Sequence, residues 1–349
     1  MSLKNKQKAL GAYLGKLFGA KGAVEFRGEK RITMGQSRAM YILDLAYQAG
    51  HVETNAEAQS VGVDHAYPHG EMVERRVVIR IEQWGHLGSD SRNEVATMRA
   101  LHSVGFPVAK VLAYETSEEL LGQPFFLMDF VKGTSVFFND GSVDDYIRRL
   151  HEFHCIDHSA KAFDYLERPK SLDDIARNQV ERWYKVYREH IVGEPSPLVA
   201  ECVQWLRNRA PRSDEITLVH GDPGPGNYMH QDGKITALVD WEFTSLGDPY
   251  DDWSYVIWMR GAPYLPEEEW ISRIERITGR KLDRERLQYW KAVNILKGVC
   301  LDQTSHKLYA NQVSSAPNML AIATAVHLDV LKVLCQCTVE KTFAVGAAA

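Results

Sequence analysis

The spacing of apolar positions changes part-way along the chain. Near the N-terminus Leu10, Leu14, Leu17 and Phe18 recur at helical spacing and predict a first helix. β-rich runs follow, and a stripe through Ser91–His102 predicts one helix among them. The predicted strands are two around a turn in 31–47, one at 75–81, and two at 111–114 and 124–131. Beyond residue 131 the pattern is mostly helical, over 142–155, 172–209 and most of 267–340.

One interruption of the helical half carries the most distinctive pattern. A short apolar run leads into the polar, glycine-rich segment His220–Asn227, and an Asp-Gly turn signal then separates two β-rich runs. Such a signal between β-rich runs predicts a hairpin. The second run ends in Asp240, so the hairpin folds the chain back and brings Asp222, Asn227 and Asp240 to one place.

These three side chains suit phosphoryl transfer, which needs metal ions on the phosphates and an acceptor hydroxyl held in line. Mg²⁺ prefers hard oxygen ligands, commonly one or two carboxylates together with phosphate and water. Asp240 would supply a carboxylate and Asn227 an amide oxygen. Asp222 would remain free to orient the acceptor hydroxyl and take its proton as the catalytic base.

Composition narrows the class of protein. The 349 residues suffice for two lobes, and a hydrophobic content of 45% with 25% charged residues is ordinary for a globular protein. A net charge of -5 does not favour a nucleic-acid or anionic-membrane surface. The five cysteines are odd in number and scattered, which favours a reducing compartment. No continuous apolar run approaches 18 residues, and Lys16 and Lys21 interrupt the first apolar stretch, so we expect neither a transmembrane helix nor a signal peptide.

The motifs together resemble a known family. They are HGDPGPGN at 220–227, DWE at 240–242 and GDPYDD at 247–252. The D-x-x-x-x-N spacing followed by a metal-binding Asp is that of the kinase catalytic loop. The chain resembles the aminoglycoside phosphotransferase/choline kinase family, the small-molecule relatives of protein kinases, over about residues 10–305.

The resemblance implies a two-lobed, protein-kinase-like α+β fold. Residues 1–130 would form a small nucleotide-binding lobe with an antiparallel sheet, and residues 131–349 a larger, mainly helical lobe for catalysis and acceptor binding. The nucleotide and Mg²⁺ would lie between the lobes. Asp248 and Asp252 could brace the catalytic loop or face the acceptor, and we favour bracing; we expect His220 to shape that loop rather than perform chemistry.

Nucleotide-binding residues follow from the same resemblance. Arg80 stands where kinases carry the lysine that contacts the phosphates, and arginine keeps that charge with a bidentate fork. Glu94 would pair with Arg80. The small-residue turn would bring its backbone N–H groups to phosphate oxygens, and the lobe-connecting segment would hydrogen-bond the base. The turn residues are Gly35, Gln36, Ser37 and Arg38, and those of the connecting segment are Met128, Asp129 and Phe130.

The implied reaction moves the γ-phosphate of ATP or GTP to a hydroxyl of a small molecule in the cytoplasm. The resemblance leaves the identity of the acceptor open. An aminoglycoside would need a strongly acidic pocket, and a choline-like alcohol would need an aromatic cage. A hydroxyacyl or other alcohol is the third alternative. The alternative is a nucleotide-binding pseudokinase that acts as an interaction module. Arg80 is the feature that favours it, whereas the intact Asp222, Asn227 and Asp240 favour the enzyme. Oligomeric state is not determined.

Overall fold

Two compact units make up the chain. The computed structural model describes residues 3–32, 39–50, 68–82, 91–313 and 317–340. The units are Met1–Lys132, which is built on an antiparallel sheet, and Gly133–Ala349, which is mostly helical. The predicted α+β class is therefore confirmed.

The N-terminal unit contains most of the β-structure. Its elements are helix α1 (Gln7–Leu17), strands β1 (Glu25–Ile32), β2 (Ala39–Gln48) and β3 (Met72–Ile81), helix α2 (Ser91–Ser103), and strands β4 (Val111–Glu115) and β5 (Phe125–Asp129). Among the described residues these strands form one antiparallel sheet in the order β1-β2-β3-β5-β4. All the strands and both helices predicted in this region are present, although β1, β2 and β3 extend further than predicted.

Helix α1 covers one face of this sheet. Its Leu10 and Leu14 are fully buried in one apolar cluster with Tyr41, Leu43 and Leu127 from the strands. Side chains alternate between the two faces of a strand, and β2 shows this alternation in its burial. Burying a leucine side chain stabilises a fold by about 2 kcal/mol. The apolar residues that predicted the first helix therefore form the face by which this helix contacts the sheet.

The C-terminal unit carries the predicted catalytic segments among helices. Its helices are α3 (Gly141–His154), α4 (Ile175–His190), α5 (Pro197–Asn208), α6 (Pro249–Ser254), α7 (Glu267–Thr278), α8 (Arg284–Ala310), α9 (Pro317–Ala321) and α10 (His327–Cys337). Its strands are β6 (Thr217–Val219), β7 (Tyr228–Gln231), β8 (Lys234–Leu238) and β9 (Ser245–Gly247). Tyr255–Arg260 and Ile322–Val326 are π-helical. The region predicted to be helical over 172–209 contains two helices, which Gly193 (φ 92°) and Pro195 separate.

The predicted hairpin is confirmed. Strands β7 and β8 pair antiparallel, with Tyr228 opposite Leu238. Asp232 and Gly233 at the turn have φ of 53° and 72°, and a two-residue hairpin turn with both residues at positive φ favours this dipeptide. Strands β6 and β9 form a second antiparallel pair. The sequence did not predict β9, because three residues are too few to show a periodicity.

Helix α8 is the central helix of this unit. It is 27 residues long and packs against α4, α6 and α10. Its buried residues lie on all its sides and include the polar Asn294 and Lys297. A helix buried all round has no amphipathic stripe, so its sequence reveals helicity but not which side faces which neighbour.

One helical stretch near the C-terminus is unusually apolar. Within the described ranges, Pro317–Cys337 is long and apolar enough, by length and composition only, to cross a membrane, which the sequence had not predicted. Its Met319, Ala323 and Leu334 are buried, and its helices pack against α8. Only 17% of its most apolar 18 residues are buried, so the expected lack of a membrane partner stays a prediction.

A buried ion pair ties α6 to α8. The carboxylate of Asp248 is fully buried and caps α6 by accepting from the backbone N–H of Tyr250 at 2.9 Å. Its other oxygen accepts from Ser213 Oγ at 2.6 Å and from Arg286 Nε at 3.0 Å. Both charges are tolerated in the interior because each is hydrogen-bonded.

Arg286→Met is expected to lower the free energy of unfolding by about 3 kcal/mol, because it leaves the buried Asp248 carboxylate without its cation. Urea denaturation followed by circular dichroism measures this. Arg284→Ala is the matched control on the same helix: its pair with Glu268 is exposed (49% and 76% of the two side chains), so we expect a change within about 0.5 kcal/mol. Equal effects of the two substitutions would contradict the prediction.

Candidate functional site

The predicted catalytic loop, residues 220–227, begins where β6 ends and leads into β7. Gly221 has φ of 83°, and a Cβ at this position would lie 2.7 Å from Cβ of Phe243, so the turn requires glycine. The backbone N–H of Val239 donates to the carbonyl of Asn227 at 3.1 Å. The two segments that carry the predicted metal ligands therefore meet, as the hairpin predicted.

A carboxylate from helix α6 holds the start of this loop. Asp252 accepts from the backbone N–H groups of His220 and Gly221, each at 2.9 Å and each with a different oxygen. His154 Nε2 lies 2.9 Å from the same carboxylate. Burial alone would raise the pKa of Asp252, but the hydrogen bond and charge of His154 bring that pKa below its ordinary value. Asp252 thus remains ionised and braces the loop as predicted, whereas Asp248 bonds to Ser213, Tyr250 and Arg286 and caps α6.

His220 has a structural role in the loop. Its ring is fully buried and packs on Trp241, with the ring centroids 4.5 Å apart. Nε2 lies 3.0 Å from the carbonyl oxygen of Val239, and Nδ1 accepts from the backbone N–H of Asp222 at 3.3 Å. These contacts require a proton on Nε2 and none on Nδ1. Burial lowers the pKa of His220, so the ring is neutral, which agrees with the loop-shaping role predicted from the sequence.

Asp222, the predicted base, is held on both carboxylate oxygens. The amide nitrogen of Asn227 donates to its carbonyl and to its Oδ2, both at 2.8 Å. Arg260 donates from Nε to Oδ1 at 2.8 Å and from Nη2 to Oδ2 at 2.5 Å. This bidentate geometry is among the strongest for a carboxylate. The sequence did not reveal Arg260, because it lies 38 residues beyond Asp222 and outside every motif.

Asn227 and Asp240 present oxygen atoms that suit Mg²⁺. Because the amide nitrogen of Asn227 donates to Asp222, its amide oxygen faces away from that residue. Asp240 has a left-handed backbone (φ 73°, ψ 59°), a costly conformation that is concentrated at functional sites. No group of three His, Cys, Asp or Glu side chains within the described part of the chain is arranged to hold a metal. A bound Mg²⁺ would therefore complete its shell with phosphate and water, as it commonly does.

Arg80 and Glu94 form a buried ion pair in the N-terminal unit. Arg80 lies on β3 and Glu94 on α2, and they are only 5% and 1% exposed. Arg80 Nη1 donates to Glu94 Oε1. The pairing implied by the resemblance is thus present, while its contact with phosphate stays a prediction. The turn residues Gly35, Gln36, Ser37 and Arg38 lie outside the described residues.

The predicted base-binding segment ends strand β5. Met128 and Asp129 are its last residues, and Phe130 follows. The backbone N–H of Asp129 donates to the carbonyl of Lys110 at 3.0 Å, and its side chain accepts from Arg75 Nη2 at 2.8 Å. Because these groups of Asp129 already have partners, a nucleotide base would need other backbone groups of the segment. This binding role stays a prediction.

A buried lysine contacts the loop from helix α8. Lys297 is 3% exposed, and its Nζ donates to the carbonyl of Gly221. Burial lowers the pKa of Lys297, although the charges of Asp222 and Asp251 oppose this shift. In the sequence the only local signal is a charged residue inside the apolar run Ile295–Val299. That signal does not identify its partner, which lies 76 residues away.

A family model described as the phosphotransferase enzyme family matches residues 66–290, which is more than half of the chain and includes the loop and the hairpin. The chain belongs to the phosphotransferase enzyme family. This phosphotransferase is 32% identical over 214 residues to acyl-CoA dehydrogenase family member 10 of Mus musculus, and 28% identical over 217 residues to family member 11 of Rattus norvegicus. Each match covers 56% of this chain but only 19% and 27% of those longer proteins.

Solved structures share the fold of the phosphotransferase. One is a protein of Ralstonia eutropha assigned to the aminoglycoside phosphotransferases (TM-score 0.64, 21% identity, 95% of this chain and 97% of that chain). Others are a choline/ethanolamine kinase family protein of Mesorhizobium loti (0.59, 16%, 96% and 95%) and a choline kinase of Streptococcus pneumoniae (0.59, 15%, 95% and 100%). The kinase-like fold is thus established, and the resemblance to the aminoglycoside phosphotransferase/choline kinase family is confirmed.

A cavity of about 370 Å³ lies in the C-terminal unit of the phosphotransferase. Its lining includes His154, Arg280 and Arg286 but none of Asp222 and the two predicted metal ligands. It therefore adjoins the brace formed by Asp252 without being the predicted catalytic site.

Asp251, beside the bracing carboxylate, is a buried acid with a shifted pKa. Burial raises its pKa from 3.8 to about 6; the charge of Lys297 opposes this, and the charge of Asp252 adds to it. Gln179 Nε2 donates to it at 3.0 Å. Between about pH 4 and pH 6 the folded phosphotransferase binds more protons at Asp251 than the unfolded chain does. This group therefore lowers the stability of the fold as the pH rises through that window.

The unfolding free energy of Asp251→Asn relative to wild type is expected to rise by about 2 kcal/mol between about pH 4 and pH 7, because asparagine does not ionise and still accepts from Gln179. Urea denaturation at both pH values measures the two differences. The control is Asp232→Asn in the exposed hairpin turn, whose difference from wild type should be nearly the same at both values. A difference for Asp251→Asn that does not change with pH would show that the carboxyl is not perturbed in this way.

Proposed function

We propose that this phosphotransferase moves the γ-phosphate of ATP, or of GTP, to a hydroxyl group of a small molecule. The observation that carries the proposal is the arrangement of three side chains on one loop and its hairpin. The amide nitrogen of Asn227 donates to the carboxylate of Asp222. The backbone N–H of Val239 donates to the carbonyl of Asn227, and this hydrogen bond brings the adjacent Asp240 to the same loop. A base and two oxygen ligands for a metal are what this reaction needs.

In the proposed reaction Asp222 orients the acceptor hydroxyl and takes its proton. The acceptor oxygen forms a bond to the γ-phosphorus while the bond from that phosphorus to the bridging oxygen breaks, and the nucleoside diphosphate leaves. Asn227 and Arg260 fix the plane of the carboxylate. Asp252 fixes the backbone that carries it. Held in this way, the base loses little freedom when the acceptor binds.

The donor side of the site rests on oxygen ligands and cations. Asn227 and Asp240 would hold Mg²⁺, which when bound would neutralise charge on the nucleotide phosphates. Arg80, positioned by its buried partner Glu94, would contact phosphate oxygens. Backbone N–H groups of the turn at 35–38 would do the same.

The acceptor is an alcohol whose identity the fold does not determine. One solved neighbour, at 14% identity, is a ternary complex of an aminoglycoside phosphotransferase with AMP-PNP and hygromycin B, and another is named as a choline kinase. The curated relatives are acyl-CoA dehydrogenase family members, which keeps a hydroxyacyl alcohol among the candidates. The intact Asp222 and its holding contacts favour an enzyme over a pseudokinase, and we propose that it acts in the cytoplasm.

Asp222→Asn is expected to reduce turnover by about 10³-fold and leave Mg²⁺-dependent nucleotide binding unchanged, because the substitution removes the base but keeps the shape of the side chain. Diphosphate release, with water and with a panel of alcohols as acceptors, measures turnover, and calorimetry measures binding. Asp232→Asn is the control and should keep full turnover. Normal turnover by Asp222→Asn would refute the base assignment, whereas nucleotide binding without turnover by wild type would favour the interaction module.

Asp240→Asn is expected to abolish the Mg²⁺-dependent part of nucleotide binding. The substitution removes the carboxylate charge, while asparagine tolerates the same left-handed backbone. A thermal-shift titration with ATP, with and without Mg²⁺, measures the effect. Asp232, at φ of 53°, also has a left-handed backbone, so Asp232→Asn controls for the conformational change alone. If Asp240→Asn keeps the full Mg²⁺-dependent shift, then Asp240 is not a metal ligand.

A further inference from the structure

An aromatic cage lies directly behind the catalytic loop. It is formed by Trp183 of α4, Phe243 after the hairpin, and Tyr255 of the π-helical segment. Their ring centroids lie 5.2, 4.3 and 4.7 Å from one ammonium nitrogen, that of Lys297. Aromatic faces at these distances attract cations, and such cages recognise quaternary ammonium ligands in other proteins. Here the chain's own lysine fills the cage.

A second cation covers the base itself. Arg260 places its guanidinium on both oxygens of Asp222, and 30% of its side chain is exposed. The lysine in the cage, Lys297, donates to the carbonyl of Gly221, the residue next to Asp222. Burial lowers the pKa of Arg260, but the hydrogen bond and charge of Asp222 outweigh burial and raise that pKa overall. The guanidinium of Arg260 therefore stays charged. The cage and the base are thus parts of one neighbourhood.

The acidic groups in this neighbourhood are already compensated. Asp222 pairs with Arg260, Asp252 is bonded by His154 and two backbone N–H groups, and Asp251 feels the charge of Lys297. Asp240 also acts on Arg260, and its charge is the one that a bound Mg²⁺ would neutralise. An acceptor that approaches Asp222 therefore meets, in the described part of this unit, a carboxylate that is already paired with a cation.

We infer that the acceptor of this phosphotransferase carries no positive charge, because Lys297 and Arg260 occupy the two positions beside Asp222 where a cationic alcohol would bind. The inference rests on the proposed function and narrows its acceptor. It excludes choline-like and aminoglycoside acceptors and leaves neutral or acidic alcohols. Like charges placed side by side at a binding site are a common means of rejecting the wrong ligand.

The test compares choline with its uncharged isostere, 3,3-dimethylbutan-1-ol, by calorimetry on the full chain with Mg²⁺ and ADP. Wild type is expected to bind choline no better than the isostere. Lys297→Ala removes the ammonium and its stem and leaves the three rings facing a cavity, so choline should bind at least roughly tenfold more tightly than to wild type. Lys297→Met is the matched control: it keeps the stem, fills the cage, and should gain no choline binding.

Choline binding to Lys297→Ala but not to wild type or Lys297→Met supports the inference. Saturable binding of choline to wild type, in preference to the isostere, overturns it. No gain in Lys297→Ala also overturns it, because the cage would then not be a cation position.

Arg260→Gln decides the question if Lys297→Ala does not fold, since the Arg260 side chain is partly exposed. Removing its charge should strengthen choline binding several-fold and leave binding of the isostere unchanged, and an equal change for both ligands overturns the inference. A thermal shift with Mg²⁺ and ATP is recorded on every variant. Absence of that shift in wild type counts against the proposed function, whereas the choline results bear only on the acceptor.

Discussion

The C-terminal unit depends on one buried carboxylate that accepts two consecutive backbone N–H groups. Asp252, on a helix that starts after the hairpin, fixes the backbone of His220 and Gly221 and therefore the direction in which Asp222 leaves the loop. A charge in the interior is costly unless all its hydrogen bonds are made. His154 supplies the third contact. Loss of any partner would therefore affect both the stability of the unit and the geometry of the base.

Other buried charges follow the same rule, and each joins elements that are distant in the sequence. Asp248 and Arg286 connect the short helix α6 to the central helix α8. Lys297, about three turns further along α8, reaches the loop itself. Each of these charges is paired or hydrogen-bonded within the interior. The same pairing keeps the loop and the hairpin in one arrangement before any ligand arrives.

The cations beside the base connect this architecture to specificity. Arg260 lies close to the backbone of the loop where it contacts Asp222. A Cβ on Gly224 would lie 2.7 Å from Cβ of Arg260. Gly224 also has φ of 134°, so both its backbone and its surroundings require glycine. The glycines of the loop therefore admit a guanidinium to the base. A single loop would thus serve both the proposed chemistry and the inferred exclusion of cationic ligands.

The sequence alone determined the features that depend on local spacing. The hairpin follows from an Asp-Gly turn, the loop from D-x-x-x-x-N, and the stripe of helix α1 from its period. The pairing of Arg80 with Glu94 followed from the family resemblance, and the bracing by Asp252 was the preferred of two interpretations of the GDPYDD motif. Roles toward the nucleotide, the metal and the acceptor remain predictions.

Tertiary structure alone decided the partners of Arg260 and Lys297. They lie 38 and 76 residues from the loop residues that they contact, and no motif includes them. Helix α8 is buried on all sides, so periodicity could not show which of its residues faces the loop. The physical reason is that turn chemistry and periodicity act between near neighbours in the chain. Contacts between distant segments instead depend on how whole helices pack.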